Sequence, residues 1–335
     1  MKKAVFTIEE YNGVNNAGPK AKNDIDFFLK KENFEIIHQY FNVHSKVKKF
    51  KDAYWTIPHL FENNAFDELF FQYPTYSSFL MKRLIKKMRE KTKKLFFIIH
   101  DVESLRLFQN DKIYWKGERA LFNATDGLIV HNYKMKQWLR ENGVTVPMVE
   151  LGIFDYDNPQ NVNQSSEFER TVCFAGNLAK SNFLDKVSLQ DGKLEVFGSH
   201  PSKHYLNGVS YRGQMSPDEL PKKLTQNFGL VWDGDQLDTC SGKFGNYMRY
   251  NNPHKVSLYL SSGQPVIIWK KAALAEFILK NNVGIAVDSL ENLDKILDKV
   301  TEKQYQLMKH NTVQLATSLR NGQFILQAVK DIENY

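Results

Sequence analysis

The chain has few groups that could cross-link it or hold a metal. Among its 335 residues there are 2 cysteines, Cys173 and Cys240, and neither lies in a CxxC pair. HExxH is also absent, so no spacing points to a dedicated metal site. GxxxxGKS/T and GxGxxG do not occur, which removes support for P-loop phosphoryl transfer and for nicotinamide chemistry; GxSxG is missing as well. No uninterrupted apolar run approaches the roughly 20 residues that span a bilayer. No short apolar leader precedes a small-residue cleavage site. Together with two isolated cysteines near predicted strands, these absences lead us to expect a reducing, cytoplasmic setting with at most peripheral membrane contact.

What is present is enough to bury a sizeable core. A hydrophobic share of 42% over this length predicts a globular protein of two domains. The net charge of +7 is concentrated in Lys46, Lys48, Lys49 and Lys51, and then in Lys82, Arg83, Lys86, Lys87, Arg89, Lys91, Lys93 and Lys94. The second cluster alternates with Phe79, Leu80, Leu84, Ile85 and Met88 at helical spacing, predicting a helix with one buried and one basic face. Such a face is either simply solvated or drawn to anionic lipid or a lipid-phosphate-linked substrate. Zinc-finger spacing, an aromatic RNP-type strand and a basic tail are all missing, so nucleic acid is not an expected partner.

In chain order, apolar runs predict strands at 4–8, 34–38, 68–72, 95–99, 127–130 and 148–151, with helices at about 20–31, 76–91, 113–123 and 133–141. This alternation is that of a parallel α/β domain. Its first βα loop contains Gly13, Gly18 and Pro19, and the helix that follows offers N–H groups to a ligand. Two strands end in polar groups that a core does not need, Gln72-Tyr73-Pro74 and His100-Asp101. The stretch 154–170 is rich in Asn, Gln and Ser and reads as a linker. Beyond it, strands are predicted at 171–175, 194–197, 209–211, 228–232, 265–269 and 284–287, with helices near 217–225, 254–260, 273–280 and 290–300. A last helix over about 302–332 is expected to bend at Asn321-Gly322, where glycine costs about 1 kcal/mol relative to alanine. The expected architecture is two Rossmann-like domains, 1–155 and 170–320, facing across a cleft.

The richest stretch for function is 228–269. It reads as strand, loop, a helix opened by Pro253, a turn at Ser262-Gly263 and a second strand. Ligands of parallel sheets sit beyond the C-terminal strand ends and at helix N-termini, so 233–255 should form the rim of a pocket, with Lys255 facing an anion. Asp233-Gly234-Asp235 is read as a turn, although it looks like the metal-holding DxD of another class of sugar transferase. Basic and aromatic residues at strand ends of one domain, with an acid or base on the other, suit sugar transfer from a nucleotide.

At this point the residues resemble a known family. The segments CFAGNLAKSNFL, VSYRGQ, FGLVWDGD and NPHKVSLYLSSGQPVII, with LFFIIHDVESLR upstream, look like the GT-B glycosyltransferases. Within these, the resemblance is to the group of the streptococcal glucosyltransferase that adds the second sugar to serine-rich-repeat adhesins and of bacterial β-1,6-galactofuranosyltransferases. It covers nearly the whole chain. It implies a UDP-sugar donor, a glycan, glycopeptide or lipid-linked acceptor, no metal or other cofactor, and a final segment, 321–335, that crosses back to the N-terminal domain; it also allows a homo-oligomer. Carried onto this sequence, it implies that Gly176 and Asn177 approach the donor through their backbone and that Lys180 and Lys255 contact the diphosphate. Tyr211 would lie at the uracil and ribose, Asp233 and Asn252 on the pocket rim, and Asn15 and Gly18 would close from the N-terminal side. Asp101 or His100 would be the acceptor base. The Glu-x7-Glu of the retaining group has no counterpart, since 233–255 contains no glutamate, so retention of configuration is not implied. The alternative to an enzyme is a non-catalytic nucleotide- or glycan-binding partner subunit.

Overall fold

The computed structural model describes residues 1–9, 17–41, 45–62, 64–74 and 77–335. The chain divides into two compact units, Met1–Leu151 with Ile325–Tyr335, and Gly152–Phe324.

In the first unit, β1 (Lys3–Glu9), α1 (Ala17–Lys31) and β2 (Glu35–Tyr40) are followed by two short helices, α2 (Lys46–Lys51) and α3 (Ile57–Leu60), joined by a wider π-type turn. Then come β3 (Phe66–Tyr73), α4 (Ser78–Lys91), β4 (Thr92–Ile99), α5 (Glu103–Arg106), α6 (Lys112–Phe122), β5 (Gly127–Val130), α7 (Tyr133–Glu141) and β6 (Met148–Glu150). The six strands form one parallel sheet in the order β2-β1-β3-β4-β5-β6. Covered on both faces, its central strands carry apolar runs in which Phe70, Phe71, Phe96, Phe97, Leu128 and Ile129 are all buried. Serine and asparagine caps start the helices between them, Ser77 for α4 and Asn132 for α7.

In the second unit, β7 (Thr171–Ala175), β8 (Lys193–Phe197), β9 (Val209–Tyr211) and β10 (Phe228–Val231) precede α8 (Gly242–Tyr247) and α9 (His254–Ser261). These are followed by β11 (Val266–Trp269), α10 (Ala275–Lys280), β12 (Gly284–Val287), α11 (Leu293–Asp298), α12 (Glu302–Arg320) and α13 (Gln323–Glu333). The sheet is again parallel, in the order β12-β11-β10-β7-β8-β9. Its strand order reverses between β7 and β10, the doubly wound arrangement in which a crevice opens at the switch point.

Three sequence expectations need amendment. The stretch 154–170 has the polar composition of a free linker, but its side chains are fastened along the second unit. Asn158 donates to the hydroxyls of Ser261 and Ser262 at 3.2 and 3.1 Å, and the amide N–H of Asn163 donates to Ser262 O at 3.0 Å. The helix expected near 217–225 is a single 3-10 turn, Leu220–Lys223, interrupted by Pro221. The stretch 243–252, read as loop, contains all but the first residue of α8. The terminal helix is broken at Asn321 and Gly322, and from Ile325 onward the chain belongs to the first unit. There Lys3 Nζ meets Glu333 Oε1 at 2.6 Å, and the Ile332 side chain lies against Gly127.

Candidate functional site

The switch point of the second sheet is lined by the residues that follow β7 and β10. Lys255 reaches it from the first turn of α9. Its ammonium donates to Trp232 O and to Asp233 Oδ1, both at 3.4 Å, and stands 4.2 Å from the centroid of the Phe174 ring. A Cβ placed on Gly176 would lie 3.6 Å from that ammonium, so the glycine backbone and the cation share one spot. Lys255 is mostly covered, its side chain 15% exposed against 22% for Asp233. A cation so placed at a helix start is arranged for an anion, because the unsatisfied N–H groups of the first turn add positive charge beside it.

The position of Lys255 is fixed by the rest of its helix. One turn on, the Tyr259 hydroxyl accepts a hydrogen bond from Ala175 N at 2.7 Å, while Ser257 Oγ donates to Phe154 O at 2.6 Å. The Tyr259 ring lies flat across Gly229 of β10, where any Cβ would overlap it, so the glycine is required by close approach. A second glycine is held just as tightly. Gly198 follows β8 at φ +146, and a Cβ there would overlap the carbonyl oxygen of Gly176.

The remaining residues singled out in this unit have varied surroundings. Asn177 caps its own 3-10 turn, its Oδ1 accepting from Ala179 N at 3.1 Å, and Lys180 at the end of that turn lies 4.1 Å over the Phe244 ring of α8. Tyr211 is 39% exposed and its hydroxyl donates to Gly198 O at 2.9 Å, which brings it to the Gly176–Gly198 edge. Gly176, Asn177, Lys180, Tyr211, Asp233 and Lys255 therefore gather at the C-terminal strand ends. Asn252 is buried, and its amide donates to Gly152 O at 3.0 Å. Tyr259, Phe174 and Gly198 escaped the sequence reading. A signal for Gly198 was available, since it follows a buried strand just as Gly176 does.

In the first unit, His100 and Gln72 end neighbouring strands. Gln72 Nε2 donates to Thr7 Oγ1 at 2.8 Å, Asp26 Oδ1 at 2.8 Å and Lys22 O at 3.1 Å, and its Oε1 faces His100 Nε2 at 2.7 Å. Because Lys22 O is only an acceptor and Asp26 offers a carboxylate oxygen, the amide nitrogen must point that way. Gln72 Oε1 then accepts from His100, which puts the imidazole proton on Nε2 and the basic lone pair on Nδ1. Burial pushes Asp26 up to about 6, against the pull of its hydrogen bond from Thr7 and of His38. Asp101 is paired with Arg106 at 3.1 Å, and Arg106 also holds Glu103. Glu103 is pushed up to about 7 by burial, against the opposing Arg106 charge. Next to His100 along the sheet edge, buried His131 is brought down to about 4 by desolvation and so is neutral. Gly18 lies within α1, whereas Asn15 lies outside the described residues. Among the described residues no three His, Cys, Asp or Glu side chains are grouped to hold a metal ion.

Two parallel Rossmann-like sheets and a final helix segment returned to the first unit give the GT-B fold. The lipopolysaccharide-biosynthesis glycosyltransferase WaaG shares this fold over 98% of this chain and 99% of its own, at a TM-score of 0.58 and 14% identity. Residues 4–153 match the Glucosyltransferase 3-like N-terminal domain and 172–332 the Glucosyltransferase 3-like C-terminal domain, and the chain belongs to this family. The β-1,6-galactofuranosyltransferase WbbI of Escherichia coli K12 is 33% identical over 248 residues, 70% of either chain. Glucosyltransferase 3 of Streptococcus gordonii is 28% identical over 268 residues, 79% of this chain and 78% of that protein.

Proposed function

We propose that this glycosyltransferase moves a hexosyl group from a UDP-sugar to a glycan or glycoconjugate acceptor in cell-surface polysaccharide or glycoprotein synthesis, at the inner face of the membrane when that acceptor is lipid-linked. The observation that carries the reading is the Lys255 ammonium at the switch point of the second sheet, beside Gly176 and at the start of α9. A leaving diphosphate needs positive charge and N–H donors there, and a module that only bound glycan would not. Lys255 and the first turn of α9 take up the charge that develops on the β-phosphate as the glycosidic bond to the sugar breaks. No metal is required for that step. Tyr211 and the Gly176–Gly198 edge offer the base and ribose a slot. His100 is the acceptor base, its ring oriented by the Gln72 side chain. Asp101, tied to Arg106, is the less suitable of the pair. Of the donors borne in the relatives' names, galactofuranose goes with the higher identity, which makes UDP-galactofuranose the first to try.

A thermal-shift series with UDP, ADP, GDP and oligosaccharides tests the donor half. UDP at a hundredfold excess over its dissociation constant should stabilise the protein by ~2.7 kcal/mol, with ADP and GDP well below that. Stabilisation by oligosaccharide alone would overturn it in favour of a binding subunit.

A further inference from the structure

We propose that α2, the turn after it and the exposed side of α4 form a docking surface for an anionic lipid bilayer. No residue of α2 is buried, so this helix adds nothing to the core, yet it carries Val47 and Phe50, which are 80% and 61% exposed. Trp55, at 67%, and Tyr54 and Phe79, also exposed, extend the apolar surface. These side chains are in register with one another. Phe50 packs on Tyr54 at 4.4 Å between ring centroids, and the Arg83 guanidinium lies 3.8 Å over Tyr54 and 5.4 Å from Phe79. Phe50, Tyr54 and Phe79 thus form a row of aromatic groups bridged by the Arg83 guanidinium. Lys46, Lys48, Lys49 and Lys51 are interspersed with Val47 and Phe50 along α2, and Lys82 and Lys86, both exposed, stand beside Arg83 on α4. Between residues 45 and 61 the sole acid is Asp52, whose carboxylate accepts from Thr56 Oγ1 at 2.9 Å.

Exposed aromatic groups ringed by lysine match the interfacial region of a bilayer, where tryptophan and phenylalanine enter the headgroup layer and ammonium groups meet lipid phosphates. A protein partner of mixed charge would not call for such one-sided basicity. Among the described residues no helix is long and apolar enough to cross a membrane, so a surface of this kind is the means by which this unit would meet one. The surface gives a lipid-linked acceptor a place to be met, and in that respect it builds on the proposed function. Its test needs no substrate.

The full chain should float with vesicles of equal parts phosphatidylglycerol and phosphatidylcholine and stay behind with phosphatidylcholine alone. Phe50→Ser with Trp55→Ser, and separately Lys48→Glu with Lys49→Glu, should each lower the vesicle-bound fraction by roughly tenfold. Both variants should melt at the wild-type temperature, since none of the four replaced side chains is buried, and should keep turnover on a soluble acceptor. Failure of the wild type to bind anionic vesicles, or undiminished binding by both variants, would overturn the proposal. So would light scattering in which the wild type self-associates, the Phe50/Trp55 variant is monomeric and neither binds vesicles, because the surface would then belong to a second copy of the chain. Loss of turnover on a soluble acceptor with flotation intact would count against the donor site alone.

Discussion

Replacing Lys255 by methionine removes the charge at the switch point and keeps the stem that packs beside Phe174. A unit charge about 4 Å from an anion is worth about 4 kcal/mol at an effective dielectric near 20. Asp233, 3.4 Å from the same ammonium, already draws on part of that attraction, so the net contribution to a diphosphate should be about 2–3 kcal/mol. The expected loss is therefore ~30- to 150-fold in kcat/KM, with UDP affinity falling alongside because the phosphates are present in the ground state as well. The change also leaves the partly covered Asp233 carboxylate without its cation, for a stability cost of about 1 kcal/mol. Adding Asp233→Asn should restore that stability and leave turnover low, which separates a binding role from a folding one. The measurements are UDP titration by calorimetry, initial rates of sugar transfer and urea unfolding of the single and double variants. If Lys255→Met kept kcat/KM within about threefold of wild type and bound UDP as well, the anion would not sit at this lysine and the placement of the donor would be wrong.

The other expectations follow from the same geometry. Tyr259→Phe removes the bond from Ala175 N and should destabilise the second unit by about 1–2 kcal/mol in urea unfolding, while Gly229→Ala, which drives a methyl into the Tyr259 ring, should cost more and weaken UDP binding by displacing α9. Wild-type stability in both would refute the anchoring of the helix. Glu103 has its folded pKa raised from an ordinary 4.5 to about 7, so its contribution is fully present below about pH 4.5 and is lost as pH rises through about 7. Glu103→Gln should accordingly gain on wild type by ~3 kcal/mol between pH 4.5 and 8, and a difference that is flat or opposite in sign would refute the assignment. Turnover should survive EDTA. Loss restored by Mn²⁺ would move the donor chemistry to Asp233 and Asp235 and a metal.

The strands were legible because a parallel sheet covered on both faces demands uninterrupted apolar runs, and 228–231 or 127–130 has hardly another use. Their ends were legible for a related reason: Gln72, His100, Gly176 and Asp233 are polar or glycine directly where an apolar run stops. By contrast, α2 and α3 escaped the sequence reading although Val47, Phe50, Tyr54, Ile57 and Phe61 recur at helical spacing, because lysines interrupt the run and α2 buries none of its residues. Tyr259 gave no sequence signal of its own. Its partners Ala175 and Gly229 lie far off in the chain, and only the sheet brings the three together. The stretch 154–170 misled in the same way: asparagine favours loops, and composition alone does not tell a solvated amide from one seated on buried hydroxyls, as Asn158 is on Ser261 and Ser262.

The first unit is discontinuous in sequence, since 1–151 needs 325–335 to complete it, whereas 152–324 is a single run. During synthesis the strands of the first sheet emerge early, but the side chain that fills the space beside Gly127, Ile332, and the carboxylate that meets Lys3, Glu333, emerge only after the whole of the second unit. The first unit must therefore wait, with that part of its surface open, for about 170 further residues, or on the order of ten seconds or more at the usual rate of translation. Order of birth and order of completion are thus reversed: the unit that starts first is finished last. An early stop codon anywhere in the second unit leaves both unfinished.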